Sequence, residues 1–216
     1  MIEYTTSVKT ETNCFVIECR GHGIIVDPIK ASQVIELVTE MGVEPDYIFL
    51  THEHFDHIEG LEEVRQRYGV PVVACDICSE RIQNFKDNLS SIADLVSYFK
   101  TGRTPEEKSE RFTCSKADIT FGEEYEIHWP DYDFAFRRQP GHSPGSPLIY
   151  MTEPGDSRGD GSTKVFTGDY LIKDEEEVLR LKGGSADDFY EFTKLVLDEI
   201  PKGTHIYPGH GPDYLL

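Results

Sequence analysis

Short apolar runs bounded by turn residues alternate with stretches of helical spacing along most of this chain. Ile24-Ile25-Val26, set between Gly23 and Asp27, has the pattern of a buried strand, and Asn13 to Glu18 alternates weakly around Phe15 and Ile17. Val34, Ile35, Val38 and Met41 fall at helical spacing, with Ser32 placed to cap that helix and Gly42 to end it. Asp46 starts a strand, Tyr47-Ile48-Phe49-Leu50, that runs straight into Thr51-His52. Ile58, Leu61 and Val64, among Glu62, Glu63, Arg65 and Gln66, predict a second helix; Gly69 stops it, and Val70 to Cys75 predict the next strand.

Residues 79–100 predict helix in two pieces, broken near Asn88 and Ser90. The polar segment 101–113, with Gly102 and Pro105, predicts a loop, and a flap shaping a pocket is the alternative to a plain surface loop. Ala117 to Pro130 and Asp131 to Gln139 predict a β-hairpin region rich in aromatics, whose Trp129, Tyr132, Phe134 and Phe136 suit a core better than a pocket. Pro147 to Thr152 predicts a strand, Glu153 to Ser162 a turn-rich mobile segment, and Lys164 to Thr167 a strand ending at Gly168-Asp169. Ser185 to Glu199 predicts a helix with an apolar stripe of Phe189, Phe192, Leu195, Val196 and Ile200. Thr204 to Tyr207 predicts a last strand, ending at Pro208-Gly209-His210. With no tandem repeat, low-complexity tract or separating linker, the expectation is an α/β protein with a single domain over residues 1–216.

The formal charge of −19 repels phosphate backbones and anionic lipid, so neither nucleic acid nor a membrane surface is an expected partner. No stretch approaches the roughly 20 apolar residues of a membrane span. Met1 to Thr10 lacks a basic start followed by an apolar run, and a cytoplasmic address is the expectation. Five cysteines, an odd number, argue against a disulfide framework. Cys75-Asp-Ile-Cys78 is one isolated CxxC, read as a strand end carrying two reduced thiols rather than as a zinc site.

Chemistry concentrates in Thr51-His52-Glu53-His54-Phe55-Asp56-His57, which packs three imidazoles and, in Asp56, a carboxylate donor into a few residues. Imidazole is the commonest side-chain metal ligand at neutral pH, and residues i and i+2 of an extended segment point the same way. The segment can therefore present one pair of donors to one ion and a second pair to its neighbour. Further along, Gly141-His142-Ser143-Pro144-Gly145-Ser146, Phe166-Thr167-Gly168-Asp169 and Tyr207-Pro208-Gly209-His210-Gly211-Pro212 each set one donor in a turn beside a strand. Strand ends are where a rigid scaffold usually carries chemistry. Taken singly these later segments are weak signals; His22, His128 and His205 lie outside all of them and read as structural or surface residues.

Together, H-x-H-x-D-H followed by His, Asp and His resembles the metallo-β-lactamase superfamily, with every position filled. Gly145-Ser146 after His142, the Phe-Thr-Gly-Asp form, Lys182-Gly183-Gly184-Ser185 and the Pro-Gly-His-Gly-Pro ending resemble its glyoxalase II-like hydrolase branch, and the likeness runs from Asn13 to Pro212. The resemblance implies a four-layer αβ/βα sandwich with a dinuclear site at one edge. It also implies that His52, His54 and His142 bind one metal, that Asp56, His57 and His210 bind the other, and that Asp169 bridges them. Two divalent metals follow, zinc by default, with iron or manganese compatible with the same donors. The implied reaction is hydrolysis of a small-molecule or carrier-bound thioester, with Asp56 as the catalytic residue that orients the nucleophile. Glyoxalase II proper carries a C-terminal helical domain that holds glutathione, whereas this chain stops at Leu216, so the expectation is a short form. Lys173, Arg180 and Lys182 are candidate anion binders and equally plain surface residues, and Tyr170 is a candidate pocket residue.

The main alternative on the same fold is a persulfide dioxygenase with one iron on His52, His142 and Asp169. That branch more often ends Pro-Ala-His-Asp, unlike this chain. A lactonase or β-lactamase would share the metal chemistry, the acidic charge disfavours a nuclease, and the complete donor set disfavours a non-catalytic scaffold.

Overall fold

The computed structural model describes residues 1–102, 104, 108–154, 163–173 and 181–216. They fall into two compact units, Met1–Thr120 and Phe121–Leu216.

The first unit is built on a six-stranded sheet whose strands lie in chain order: β1 (Ile2–Thr6), β2 (Asn13–Cys19), β3 (His22–Val26), β4 (Glu44–Phe49), β5 (Val72–Cys75) and β6 (Ile119–Phe121). β1, β2 and β3 pair antiparallel, and β3, β4 and β5 pair parallel. Parallel neighbours require crossovers, which α1 (Ala31–Met41) supplies between β3 and β4, and α2 (Phe55–Ile58) with α3 (Leu61–Tyr68) between β4 and β5. Every residue of β5 is buried, as are Gly23 to Val26 of β3; covering on both faces explains why these strands read as apolar runs without alternation.

α1 buries Ala31, Val34 and Val38 and ends at Gly42 in the left-handed region (φ 67°), as the spacing predicts. Its start differs from the sequence expectation. Ser32 lies inside the first turn, because the Lys30 carbonyl already accepts from the Gln33 and Val34 N–H groups and Lys30 takes the cap position. The single helix expected after His57 is likewise two, α2 and α3, broken at Glu59-Gly60. Gly60 N–H donates to the Pro28 carbonyl at 3.0 Å, and a Cβ on Gly60 would lie 1.9 Å from the Ile29 carbonyl oxygen. That close approach ties the segment after the His52–His57 motif to the residues following β3. Gly60→Ala is expected to destabilise the protein by about 3 kcal/mol, read as a lower urea midpoint at unchanged slope; a wild-type midpoint would show that the approach relaxes freely.

After β5, α4 (Asp76–Arg81), a 3-10 turn (Ser90–Ile92) and α5 (Ala93–Thr101) follow, with the break where it was expected. Asn88 makes that break: its side-chain oxygen accepts from Ser90 N–H, and its amide donates to the Phe112 carbonyl, both at 2.9 Å. Residues 103 and 105–107 of the segment read as a loop or flap lie outside the described residues, and 108–113 are irregular. All five cysteines are buried free thiols, with Cys75 closing β5 and Cys78 on α4. Burial pushes the Cys75 thiol up to about 11 and the Cys114 thiol to about 12, so both are protonated and poorly nucleophilic at neutral pH.

The second unit carries a sheet ordered β12 (Tyr214–Leu215), β11 (His205–Pro208), β10 (Lys164–Gly168), β9 (Pro147–Thr152), β8 (Tyr132–Arg138) and β7 (Glu124–Trp129). β7 through β10 pair antiparallel; β10 and β11 are parallel, with α6 (Ala186–Glu199) between them in sequence. Ser185 caps α6 by accepting from Asp188 N–H, and Phe189, Val196 and Ile200 of the predicted stripe pack with Val165, Tyr150 and Ile206. The expected hairpin is β7–β8, and its Trp129, Phe134 and Phe136 are core residues. Its leading part departs from expectation, since β6 joins the other sheet. Asp118 makes the switch: its N–H donates to the Val72 carbonyl and its side chain accepts from Val72 N–H, which lays residues 119–121 along β5. Of the segment read as turn-rich, residues 155–162 lie outside the described residues, as does Arg180. Among the described residues no helix is long and apolar enough to cross a membrane.

Candidate metal centre

In the first unit the donors stand where β4 gives way to α2. His54 takes the cap position of α2 in extended geometry, and Asp56 and His57 occupy its first turn. His52, His54, Asp56 and His57 are all at least 96% buried. The ring centroids of His52 and His54 lie 4.5 Å apart and those of His52 and His57 4.1 Å, so the crowding foreseen from spacing is real. The His52, His54 and His57 Nε2 atoms are all shut off from solvent.

The sequence reading missed Asp27, which organises this cluster from the end of β3. Its side chain accepts from Thr51 N–H (2.8 Å, Oδ1), from the Thr51 hydroxyl (2.5 Å, Oδ2) and from His57 Nδ1 (2.9 Å, Oδ2). A carboxylate offers acceptors only, so the His57 proton sits on Nδ1 and its lone pair on Nε2. The Thr51 hydroxyl has one proton and gives it to Asp27. At 3.1 Å from His52 Nδ1 it can then only accept, which puts the His52 lone pair on Nε2 as well. Fixing a ligand's tautomer through its other ring nitrogen is the usual work of the groups behind a metal site. Asp27, His52 and His57 also group as donors within 4.8 Å of one another. The Asp27 oxygens there are already engaged by Thr51 and His57, so the grouping reads as this clamp. In sequence, the only sign was an acidic residue closing an apolar strand before Pro28, which by itself reads as a turn residue. Asp56 has its own support: the Thr12 hydroxyl donates to Oδ2 at 2.9 Å, fixing one oxygen.

In the second unit His142, Asp169 and His210 come from three separate loops and converge. Asp169 follows β10 and His210 follows β11; these strands are parallel neighbours, so their ends present both residues together, with Gly209 N–H donating to the Gly168 carbonyl at 2.8 Å. His142 sits in the loop joining β8 to β9. Gly141 has φ +148°, and a Cβ there would lie 2.9 Å from Phe189 Cα, so the loop packs onto α6 only because this residue has no side chain. Arg138 steadies the same loop by donating from Nη1 to the Pro144 carbonyl at 3.2 Å. Asp169 Oδ2 lies 3.6 Å from His142 Nε2 and 3.3 Å from His210 Nε2, and all three residues are buried. One carboxylate oxygen standing between two imidazoles is a donor arrangement suited to divalent cations, since N/O sets of this kind hold zinc, iron or manganese.

The remaining candidates fall elsewhere. Tyr170 is a core residue: its ring packs on Phe189, and its hydroxyl meets Gln139 and Thr193. Lys173 and Lys182 are exposed. His22 pairs with Asp46, His128 with Asp133 and His205 with Asp213, which fits their reading as structural or surface residues.

A metallo-hydrolase of Bacillus subtilis, YqgX, so named as probable, is 26% identical over 204 residues, covering 94% of this chain and 86% of that protein. Hydroxyacylglutathione hydrolase of Pelagibacter ubique is 23% identical over 195 residues, 90% of this chain but 64% of its own length. Among solved structures, the B3 metallo-β-lactamase BLEG-1 superposes with a TM-score of 0.77 at 24% identity, covering 100% of this chain and 94% of that one. ETHE1 from Myxococcus xanthus gives 0.69 at 21% identity, covering 100% and 79%. TTHA1623 in a di-iron-bound form gives 0.68 at 22% identity, covering 99% and 94%. At these identities the structures speak for the fold alone, and the mixed α/β class with two sheets is that of the metallo-β-lactamase fold. The profile of the metallo-β-lactamase superfamily matches residues 9–210, from the β1–β2 turn to the last candidate ligand, and the chain belongs to that superfamily.

Proposed function

We propose that the chain is a dinuclear metallohydrolase that cleaves a thioester. His52, His54 and His142 would hold one ion, Asp56, His57 and His210 the other, and Asp169 would be shared. The observation that carries the reading is Asp169, whose Oδ2 stands close to His142 Nε2 on one side and His210 Nε2 on the other. The donor set in the first unit fits the same group, because Asp27 and Thr51 leave the His52 and His57 lone pairs on Nε2. Bound divalent cations supply a hydroxide nucleophile at neutral pH and polarise the carbonyl under attack. Asp56, with Oδ2 held by Thr12, keeps its carboxylate oriented to take a hydrogen bond from the attacking water. Burial of all seven side chains keeps bulk water from competing for the donors.

Thioester chemistry is supported by the hydroxyacylglutathione hydrolases among the relatives, since an acylglutathione is a thioester. The chain spans about three fifths of those enzymes' length, so their substrate is carried over only as a class. Zinc is the default ion; iron and manganese suit the same donors. The acidic charge favours a small-molecule or carrier-bound acyl thioester over a nucleic acid.

The test is elemental analysis of protein purified without added metal or chelator, followed by thiol release from acylglutathione and acyl-coenzyme A thioesters. About two ions per chain, turnover of a thioester, and loss of both activity and thermal stability on chelation are expected. About one iron per chain, with oxygen consumed in the presence of glutathione persulfide, would overturn the reading in favour of persulfide oxidation.

A further inference from the structure

We infer that Arg81 is a positioning residue for the metal ligands His52 and His54, acting through the buried carboxylate of Glu53. The inference rests on the two-metal reading above and adds a residue that the ligand motif does not contain.

Glu53 stands between the two proposed ligands, just before His54, which is extended. The His52 and His54 rings lie together, 4.5 Å between centroids, while the Glu53 carboxylate meets Arg81 instead. Glu53 is fully buried, which for a carboxylate is costly unless a partner of opposite charge comes with it. Arg81, in the last turn of α4, is that partner: its Nε donates to Glu53 Oε1 at 2.5 Å. The guanidinium also reaches onward, with Nη2 donating to the Asp87 carbonyl at 3.2 Å and Nη1 lying 3.8 Å from the Asp87 carboxylate. The next residue closes the circuit, because the Asn88 carbonyl accepts from Phe55 N–H at 2.8 Å. Asn88 is itself anchored by its side chain to the Phe112 carbonyl. One planar cation thus holds the motif at residue 53 while the turn it braces holds the motif at residue 55. His54 lies between these two points, and His52 is next to the first. A fork-shaped donor can serve both sides at once, which a lysine ammonium does less well.

The experiment measures Zn(II) affinity by chelator competition, and the visible spectrum of the Co(II)-loaded protein, for wild type and two variants. Arg81→Met alone would take the Arg81 cation away from the buried Glu53 carboxylate, so it is replaced by the neutral pair Glu53→Gln/Arg81→Met, which keeps the volume without the charges. Arg81→Lys keeps the charge paired but loses the second grip. The double variant is expected to fold with a near-wild-type urea midpoint in the apo form, to bind Zn(II) about 10–100-fold more weakly, and to show an altered Co(II) spectrum. Arg81→Lys should fall between it and wild type. Wild-type affinity and spectrum in either folded variant would overturn the positioning role while leaving the two-metal reading intact. A wild-type protein that binds no metal would instead remove that reading and this inference with it.

Discussion

Asp169→Ala is expected to lower the metal content from about two ions per chain to less than one and to reduce turnover by more than about a thousandfold. The size of the effect follows from where the carboxylate stands. Its Oδ2 is within 3.6 Å of one histidine nitrogen and 3.3 Å of another, so a single substitution removes a donor from both halves of the proposed ligand set. Without the cations, water returns to a pKa near 15.7 and supplies no hydroxide at neutral pH. The fold should survive. The backbone around position 169 is held by Tyr170 N–H on the Thr167 carbonyl and Gly209 N–H on the Gly168 carbonyl, neither of which uses the Asp169 side chain. Metal analysis, thiol release and a melting curve on the same preparation check the prediction. A folded, metal-free variant that turns over at the wild-type rate would sink the hydrolytic mechanism, and retention of both ions would sink the shared carboxylate.

Such a substitution could be chosen from the sequence because the full donor pattern resembles that of the metallo-β-lactamase superfamily; local rules alone mark the His52–His57 cluster, and Asp169 after its strand is a weak signal by itself. The His-x-His spacing of an extended segment and the Gly-flanked turns at strand ends are written in neighbouring residues, and the structure buries all seven. β9 was legible to the residue, since Pro147 to Thr152 is an apolar run with clear breaks on either side. β1 was not: its residues are half-buried or exposed, and its place comes from pairing with β2. β12 has only Tyr214 and Leu215, too short for any periodicity, and exists through its register with β11. The transfer of β6 to the first sheet depends on Asp118 meeting Val72, residues far apart in sequence. The start of α1 was misread for a local reason: Ser32 has the chemistry of a cap, but the Lys30 carbonyl takes the first helical hydrogen bonds. The groups behind the ligands were the least visible. Asp27 and Arg81 meet His57 and Glu53 across intervals of tens of residues; Asp27 shows in sequence only as an acidic residue closing an apolar strand, and nothing near Arg81 marks it.

Asp27→Asn tests that hidden layer and should separate fold from metal binding. Asp27 has φ +53°, a conformation that Asn tolerates as well as Asp, so the backbone is not penalised. The amide oxygen can keep the bond from Thr51 N–H. The amide nitrogen then stands where Oδ2 stood, and it donates where Oδ2 accepted. His57 must turn an unprotonated Nδ1 toward it, which moves the ring proton to Nε2. Thr51, now receiving a proton from the amide, turns its own hydroxyl proton toward His52 Nδ1, and the His52 proton moves to Nε2 too. Both nitrogens proposed to bind metal thereby lose their lone pairs, although every hydrogen bond still has a donor and an acceptor. Stability should fall by only about 1 kcal/mol, whereas metal affinity should fall about 10–100-fold. Asp27→Ala makes the contrast: it leaves the Thr51 N–H and His57 Nδ1 donors buried without their acceptor, and should cost about 2–5 kcal/mol of stability on top of the weakened metal site. Urea midpoints and chelator-competition titrations of the two variants resolve the cases. Wild-type metal affinity in Asp27→Asn would mean that the tautomers of His52 and His57 are not set from Asp27. A loss of affinity in Asp27→Asn without a matching loss of stability cannot come from a loosened fold, and would place the control of both imidazoles in one carboxylate at the end of β3.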